Sequence, residues 1–334
     1  MNSELKTENT SAEQHGALKS GVALVDRSAL GRLAVKGKDA LDLLSRLSTN
    51  ALLDLAPGRG MQTVLTSNKG RIVDVLTVLR QDDRLLVLTS PATRQKVAEW
   101  MDFYTFTEDV AVKDVTLDTA MLSLSGPRAG EVLDAMSCMS ASALAPYEHV
   151  YTGLGDVEAM VARTDFTGLP GFDIIAPAAH AEALRNTLLS AGEPLGIAAA
   201  TQEAVEIVRI ERGVPAYGKE LGEDYNPLEA GLIGLVSFTK GCYIGQEVVT
   251  RLNTYQKVQK QLVALRWDGA ADVQAGAPLM MDGKKAGVVT SAARLPGSGT
   301  GIGLGYVRKA QAEAGTKLEG PGGAAVEVIS SFRQ

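Results

Sequence analysis

RIVDVLTVLRQDDRLLVLTSPATRQKVAEW, residues 71–100, reads as two strands and a helix. RIVDVLTVLR and RLLVLTS are apolar runs rich in Val and Leu, and QDD between them is a turn. Ser90-Pro91 then opens a helix, because proline costs nothing where the first turn has no N–H to pair, and Val97, Trp100, Met101 and Tyr104 share one helical face. The same order returns in VEAMVART, the turn DFTGLPG, the strand FDIIAP and a helix after Pro177 with Leu184, Leu188 and Leu189 on one side. The likeness of LVLTSPATRQKVAEW to DIIAPAAHAEALRNT suggests two related units, so the chain is expected to be α+β.

Outward from these units the texture is consistent. GVALVDRSALGRLAV reads as strand and DALDLLSRL as helix, with Ala40, Leu43, Leu44 and Leu47 at helical spacing. MLSLSGPRAGEVLDAM is another strand, turn and helix, and TQEAVEIVRIERG is a helix stopped by Gly213. From Gln261 on, KQLVALRW, APLMMDGKKAGVVTSAAR, GIGLGYVRK and AAVEVISSF are short strands between Gly- and Pro-containing turns, which predicts a small all-β barrel. The first twenty residues are polar, without the apolar centre of a signal peptide or anchor, and read as a disordered tail.

Composition limits the function classes. The 334 residues carry a net charge of −6 with 22% charged and 45% hydrophobic residues, enough for two or three cored domains. An acidic balance argues against binding nucleic acid or anionic membranes through net charge. Two cysteines, Cys138 and Cys242, and three scattered histidines offer no disulfide framework and no metal-ligand spacing, so no metal is expected. No apolar run is long enough to span a membrane, and a reducing, cytoplasmic setting is the default expectation.

Four stretches could carry chemistry. In KGCYIGQE, residues 240–247, Cys242 lies between glycines just before a helical VVTRL run. The helix N-terminus and Lys240 would favour a thiolate and Glu247 would oppose it, so Cys242 is either reactive or a small residue in a tight turn. In RTDFTGLPGFDI, residues 163–174, Asp173 could accept two parallel N–H bonds from a planar heterocycle, or could simply face solvent. Asp74 interrupts an apolar run; it either points inward and must be paired, or lies on the wet side of its strand. GSGTGIGLG, residues 297–305, superficially suggests a phosphate loop, but it lies in the all-β tail without the strand-to-helix setting that a nucleotide would need.

KGCYIGQE resembles the signature of the YgfZ-type branch of the glycine-cleavage T-protein (aminomethyltransferase) superfamily. GVALVDRSALGRLAVKG, NKGRIVDVL, LSGPRAGEVL, RTDFTGLPGFDI, VRIERGVPAYGKEL and NPLEAGL resemble the same superfamily, in its order. The resemblance implies three domains around a folate-sized central opening. The first is discontinuous, over 21–47, 115–212 and 230–256, the second covers 48–114 and 213–229, and the barrel covers 257–334. It implies tetrahydrofolate or a one-carbon derivative as ligand, with Asp173 gripping the pterin and Arg163 and Phe166 on the same hairpin. Asp74 would fall in the region of the family's catalytic aspartate. Cys242 would be a functional thiol, framed by Lys240, Gly241, Gly245, Gln246 and Glu247. The true aminomethyltransferases usually carry YTGE where this chain has FTGL, with Leu169 in place of the glutamate, and an arginine aligned with Val205 is missing. These departures and the thiol motif favour the branch associated with folate-dependent maintenance or assembly of iron–sulfur enzymes and with tRNA modification. The implied partners are reduced folate and iron–sulfur client proteins, and the alternative is a folate-dependent aminomethyl or other one-carbon transferase.

Overall fold

The computed structural model describes residues 10–136, 140–268 and 270–332. Cys138 lies outside them. A six-stranded sheet runs, edge to edge, Ala198–Ala199, Ala23–Asp26, Thr119–Ser125, Gly171–Pro177, Val157–Arg163 and His149–Leu154. Helices Ala129–Met136 and Ala181–Gly192 cover one of its faces, placing Val132, Leu133, Leu184 and Leu188 on Leu24, Leu122, Leu124, Phe172 and Ile174. A five-stranded sheet runs Gly60–Thr66, Ile72–Arg80, Leu85–Thr89, Gly31–Lys36 and Ala111–Asp114. Its outer face is covered by helices Ala40–Leu47 and Arg94–Phe103 through Leu43, Leu44, Val97 and Met101.

The remaining faces of the two sheets meet each other. Leu79, Leu86 and Leu88 from one pack on Met121, Met160, Ala162 and Ile175 from the other. Side chains alternate along a strand, so each strand in this seam serves two cores at once. That explains the near-continuous apolar runs, which one-sided strands would not need.

The third body is a closed barrel of Lys260–Trp267, Gly301–Arg308, Lys284–Arg294, Pro278–Met281, Lys317–Glu319 and Ala325–Ser331, as the texture change at Gln261 predicts. The glycines of GIGLG make room inside it. A Cβ on Gly301 would lie 2.0 Å from the Trp267 ring nitrogen, and one on Gly305 would lie 2.9 Å from Leu265. Packing, and not phosphate, accounts for the glycine pattern.

Two expectations are corrected. The stretch read as a disordered tail to residue 20 contains the helix Ser11–Ser20, closed at its start by a reciprocal capping box between Thr10 and Glu13. Gln14 and Leu18, four apart, are its buried stripe. Leu18 packs on Ala204 and Val208, and the Gln14 side-chain oxygen accepts from the Thr201 N–H and hydroxyl. One leucine among polar residues leaves almost no periodic signal. The division expected at residue 47 also shifts, because Gly31–Lys36 pairs within the five-stranded sheet and Ala40–Leu47 packs on it. The segment 230–256, placed with the first domain, docks there as well: Ile244 joins that core, and Val248 and Val249 lie against Gly70.

Candidate functional site

Asp173 comes from the middle of a strand that leaves a glycine-bent hairpin. Its register opposite Ser123 and Ala162 turns the carboxylate into the seam between the sheets. Only 1% of the residue is exposed. Oδ1 accepts from Arg27 Nη1 at 2.6 Å and from Ser123 Oγ at 2.5 Å, while Oδ2 accepts from no donor among the described residues. The Arg27 guanidinium lies 3.9 Å above the Phe166 ring. A carboxylate, a planar N–H fork and an aromatic face are thus stacked together. Tyr147 borders the same region; burial, reinforced by Asp165 and Asp173, pushes its phenol up to about 12.

Arg163 is not part of this arrangement. It stands opposite Phe172, so its side chain leaves the other face of the sheet, where it donates to the Leu144 carbonyl and pairs with Asp165 at 3.3 Å. Arg27 and Ser123 were not singled out from the sequence. A signal existed in MLSLS, where Ser123 and Ser125 alternate with buried leucines, the pattern of a strand with one polar-lined face.

Asp74 is fully buried on the opposite side of the five-stranded sheet, opposite Leu65 and facing the helices. The seam-facing residues of its strand are Thr77 and Leu79, paired with Leu88 and Leu86. Asp74 Oδ1 accepts from the Val75 N–H and Ser90 Oγ, and Oδ2 from the Ser90 N–H and Thr93 Oγ1. Burial raises its pKa and these donors oppose that. Asp74 and Asp173 are therefore not brought together.

Cys242 is exposed in a loop tied to the five-stranded unit. The Ile244 N–H donates to Arg46 O, and Thr66 Oγ1 donates to Ile244 O. Gly245 precedes helix Gln246–Thr254 with φ +85°, and a Cβ there would meet Ser67 O at 2.5 Å, so the turn requires glycine. Gly241 and Glu247 are exposed and Gln246 is half-buried. Lys240, expected to favour a thiolate at Cys242, is engaged by main-chain carbonyls. Its ammonium donates to the carbonyls of Ser45, Ser48 and Asn50, clamping the loop to the C-terminal end of helix Ala40–Leu47, where the dipole favours a cation.

Burial draws the Lys240 ammonium down to about 8 from 10.5. Between those values the unfolded chain binds more protons than the folded one, so stability contributed at this site rises with pH across that window. Denaturant melts of wild type and Lys240→Met at several pH values should therefore diverge in favour of wild type from pH 8 to 10.5. A difference that stays flat would show that the lysine is not perturbed.

Residues 3–240 match the GCVT N-terminal domain, and residues 260–328 match the glycine cleavage T-protein C-terminal barrel domain. An aminomethyltransferase of Caldanaerobacter subterraneus is 32% identical over 308 residues, covering 92% of this chain and 82% of that protein. A putative chloroplastic transferase of Arabidopsis thaliana is 31% identical over 304 residues, covering 90% and 69%. The crystal structure of the glycine cleavage system aminomethyltransferase T from Bartonella henselae superposes with a TM-score of 0.85 at 25% identity, covering 96% of this chain and 88% of that one.

Proposed function

The chain belongs to the glycine cleavage T-protein (aminomethyltransferase) family, and on that premise we propose that it binds a reduced folate and transfers a one-carbon unit to or from it. The observation that carries this is Asp173, a buried carboxylate already joined to a planar N–H fork that is stacked on Phe166. Asp173 would accept from the ring N–H groups of tetrahydrofolate and Phe166 would cover a ring face, while the folate supplies the nitrogens that carry the one-carbon unit. Leu169, in place of the usual glutamate, leaves Asp173 as the acidic anchor of this hairpin.

Calorimetry with 5-formyltetrahydrofolate tests the binding step. A charge-assisted hydrogen bond contributes about 1.5–3 kcal/mol, so Asp173→Asn should weaken binding by about tenfold to a hundredfold. Absence of heat with wild type would overturn folate recognition. Turnover with an aminomethyl donor on a lipoyl carrier would establish the transferase.

A second reading is the iron–sulfur accessory role. What favours it is the exposure of Cys242 on a loop held in place by Lys240, where another protein can reach the thiol. Among the described residues no group of three or more His, Cys, Asp and Glu could hold a metal ion, and on this reading two chains, or the chain and a client, would share a cluster. Cys242→Ser distinguishes the two. The transferase reading expects turnover to survive, and the accessory reading expects loss of iron–sulfur enzyme activity in cells.

A further inference from the structure

Asp173 is 1% exposed, and its Oδ1 is held by the Arg27 side chain, which is itself 17% exposed. Arg27 follows the end of strand Ala23–Asp26; its main-chain N–H is still tied to Met121 O, so it is the side chain that is free to move. Its guanidinium makes one hydrogen bond among the described residues, through Nη1 to Asp173. Arg32 shows what a locked arginine looks like in this fold: it is fully buried, and its guanidinium donates to Thr119 Oγ1 and to the carbonyls of Leu30, Ser28, Thr116 and Thr119. Arg27 has none of that bracing, so it can swing away without orphaning other groups.

The guanidinium also matches the proposed ligand chemically. The amino-oxopyrimidine edge of a pterin is likewise planar, presents neighbouring N–H donors to a carboxylate and stacks on an aromatic ring. Asp173, with Oδ2 open, can accept both N–H groups of such an edge only after Nη1 leaves Oδ1, which already has the Ser123 hydroxyl as a second donor. We infer, resting on the folate reading above, that Arg27 occupies the ligand's place, and that the site admits heterocycles whose guanidine-like edge exchanges with it between Asp173 and Phe166. Ligands without that edge cannot replace the pairing and are turned away. The exchange keeps the carboxylate partnered in both states, so no unpaired buried charge arises on release.

The test is calorimetric titration of wild type and Arg27→Met with 5-formyltetrahydrofolate in one and the same buffer. p-Aminobenzoylglutamate, which lacks the fork, serves as the control ligand. Removing the competitor should tighten folate binding by about tenfold, equal to ~1.4 kcal/mol, while the free variant melts below wild type. The control ligand should not gain affinity. Equal or weaker folate binding by Arg27→Met overturns the exchange, since it would make Arg27 a bystander or a ligand contact. If Arg27→Met does not fold, Arg27→Gln removes the charge with less change of shape and is read the same way. Failure of every protein to bind overturns the folate reading itself, and the exchange with it.

Discussion

Arg209→Met is expected to destabilise the protein by about 3–5 kcal/mol, the usual cost of leaving one partner of a buried ion pair alone. Arg209 is 5% exposed and Glu220 is fully buried. Nη1 of Arg209 donates to Glu220 Oε2 at 2.7 Å and Nη2 donates to Ser291 Oγ at 2.5 Å. Glu220 further accepts from the Ala216 N–H, Thr290 Oγ1 and Ser291 Oγ, and Tyr306 Oη donates to its carbonyl. This knot joins helix Gln202–Glu211, the loop after it and two barrel strands. Methionine fills the volume but leaves the Glu220 charge uncompensated. Denaturant unfolding should show the loss, and adding Glu220→Gln to Arg209→Met should recover part of it, because no buried charge then remains. A loss under about 1 kcal/mol would mean that the pair is not what joins the barrel to the rest.

Asp74→Ala should cost about 3 kcal/mol or more, because it removes the acceptor from four donors, and each buried donor left unpaired costs ~1–3 kcal/mol without strict additivity. The Ser90 N–H, Ser90 Oγ and Thr93 Oγ1 form the start of the short helix Pro91–Thr93, so its entry turn should loosen first. Asp74→Asn is the sharper test. Its amide group can accept on one side only and sets N–H against N–H on the other. If the carboxylate is an internal brace, the asparagine variant loses stability in urea. If it is a general base, stability stays at the wild-type value while turnover disappears. Full burial with both carboxylate oxygens satisfied, unlike Asp173, whose Oδ2 accepts from no donor among the described residues, supports the brace.

The sequence alone carried most of the fold. The hairpin-and-helix units at 71–100 and 157–189, and the barrel after Gln261, were legible because periods of two and 3.6 follow directly from strand and helix geometry. KGCYIGQE and the motifs around it were legible through their resemblance to the superfamily, and the turn in KGCYIGQE requires Gly245 at φ +85°. The helix Ser11–Ser20 was not legible, since a single buried leucine leaves no period to detect.

Tertiary structure decided which residues meet. A strand records alternation but not which of its faces looks at which core, so Asp74 and Asp173, alike as carboxylates in apolar runs, could not be told apart. The packing of the two sheets turned Asp173 into their seam and Asp74 toward the helices. It also delivered Arg27, 146 positions away, to Asp173, and Lys240 to carbonyls 190 to 195 positions away. Contacts over such separations are set by the global arrangement of the sheets, and no local pattern in the chain encodes them.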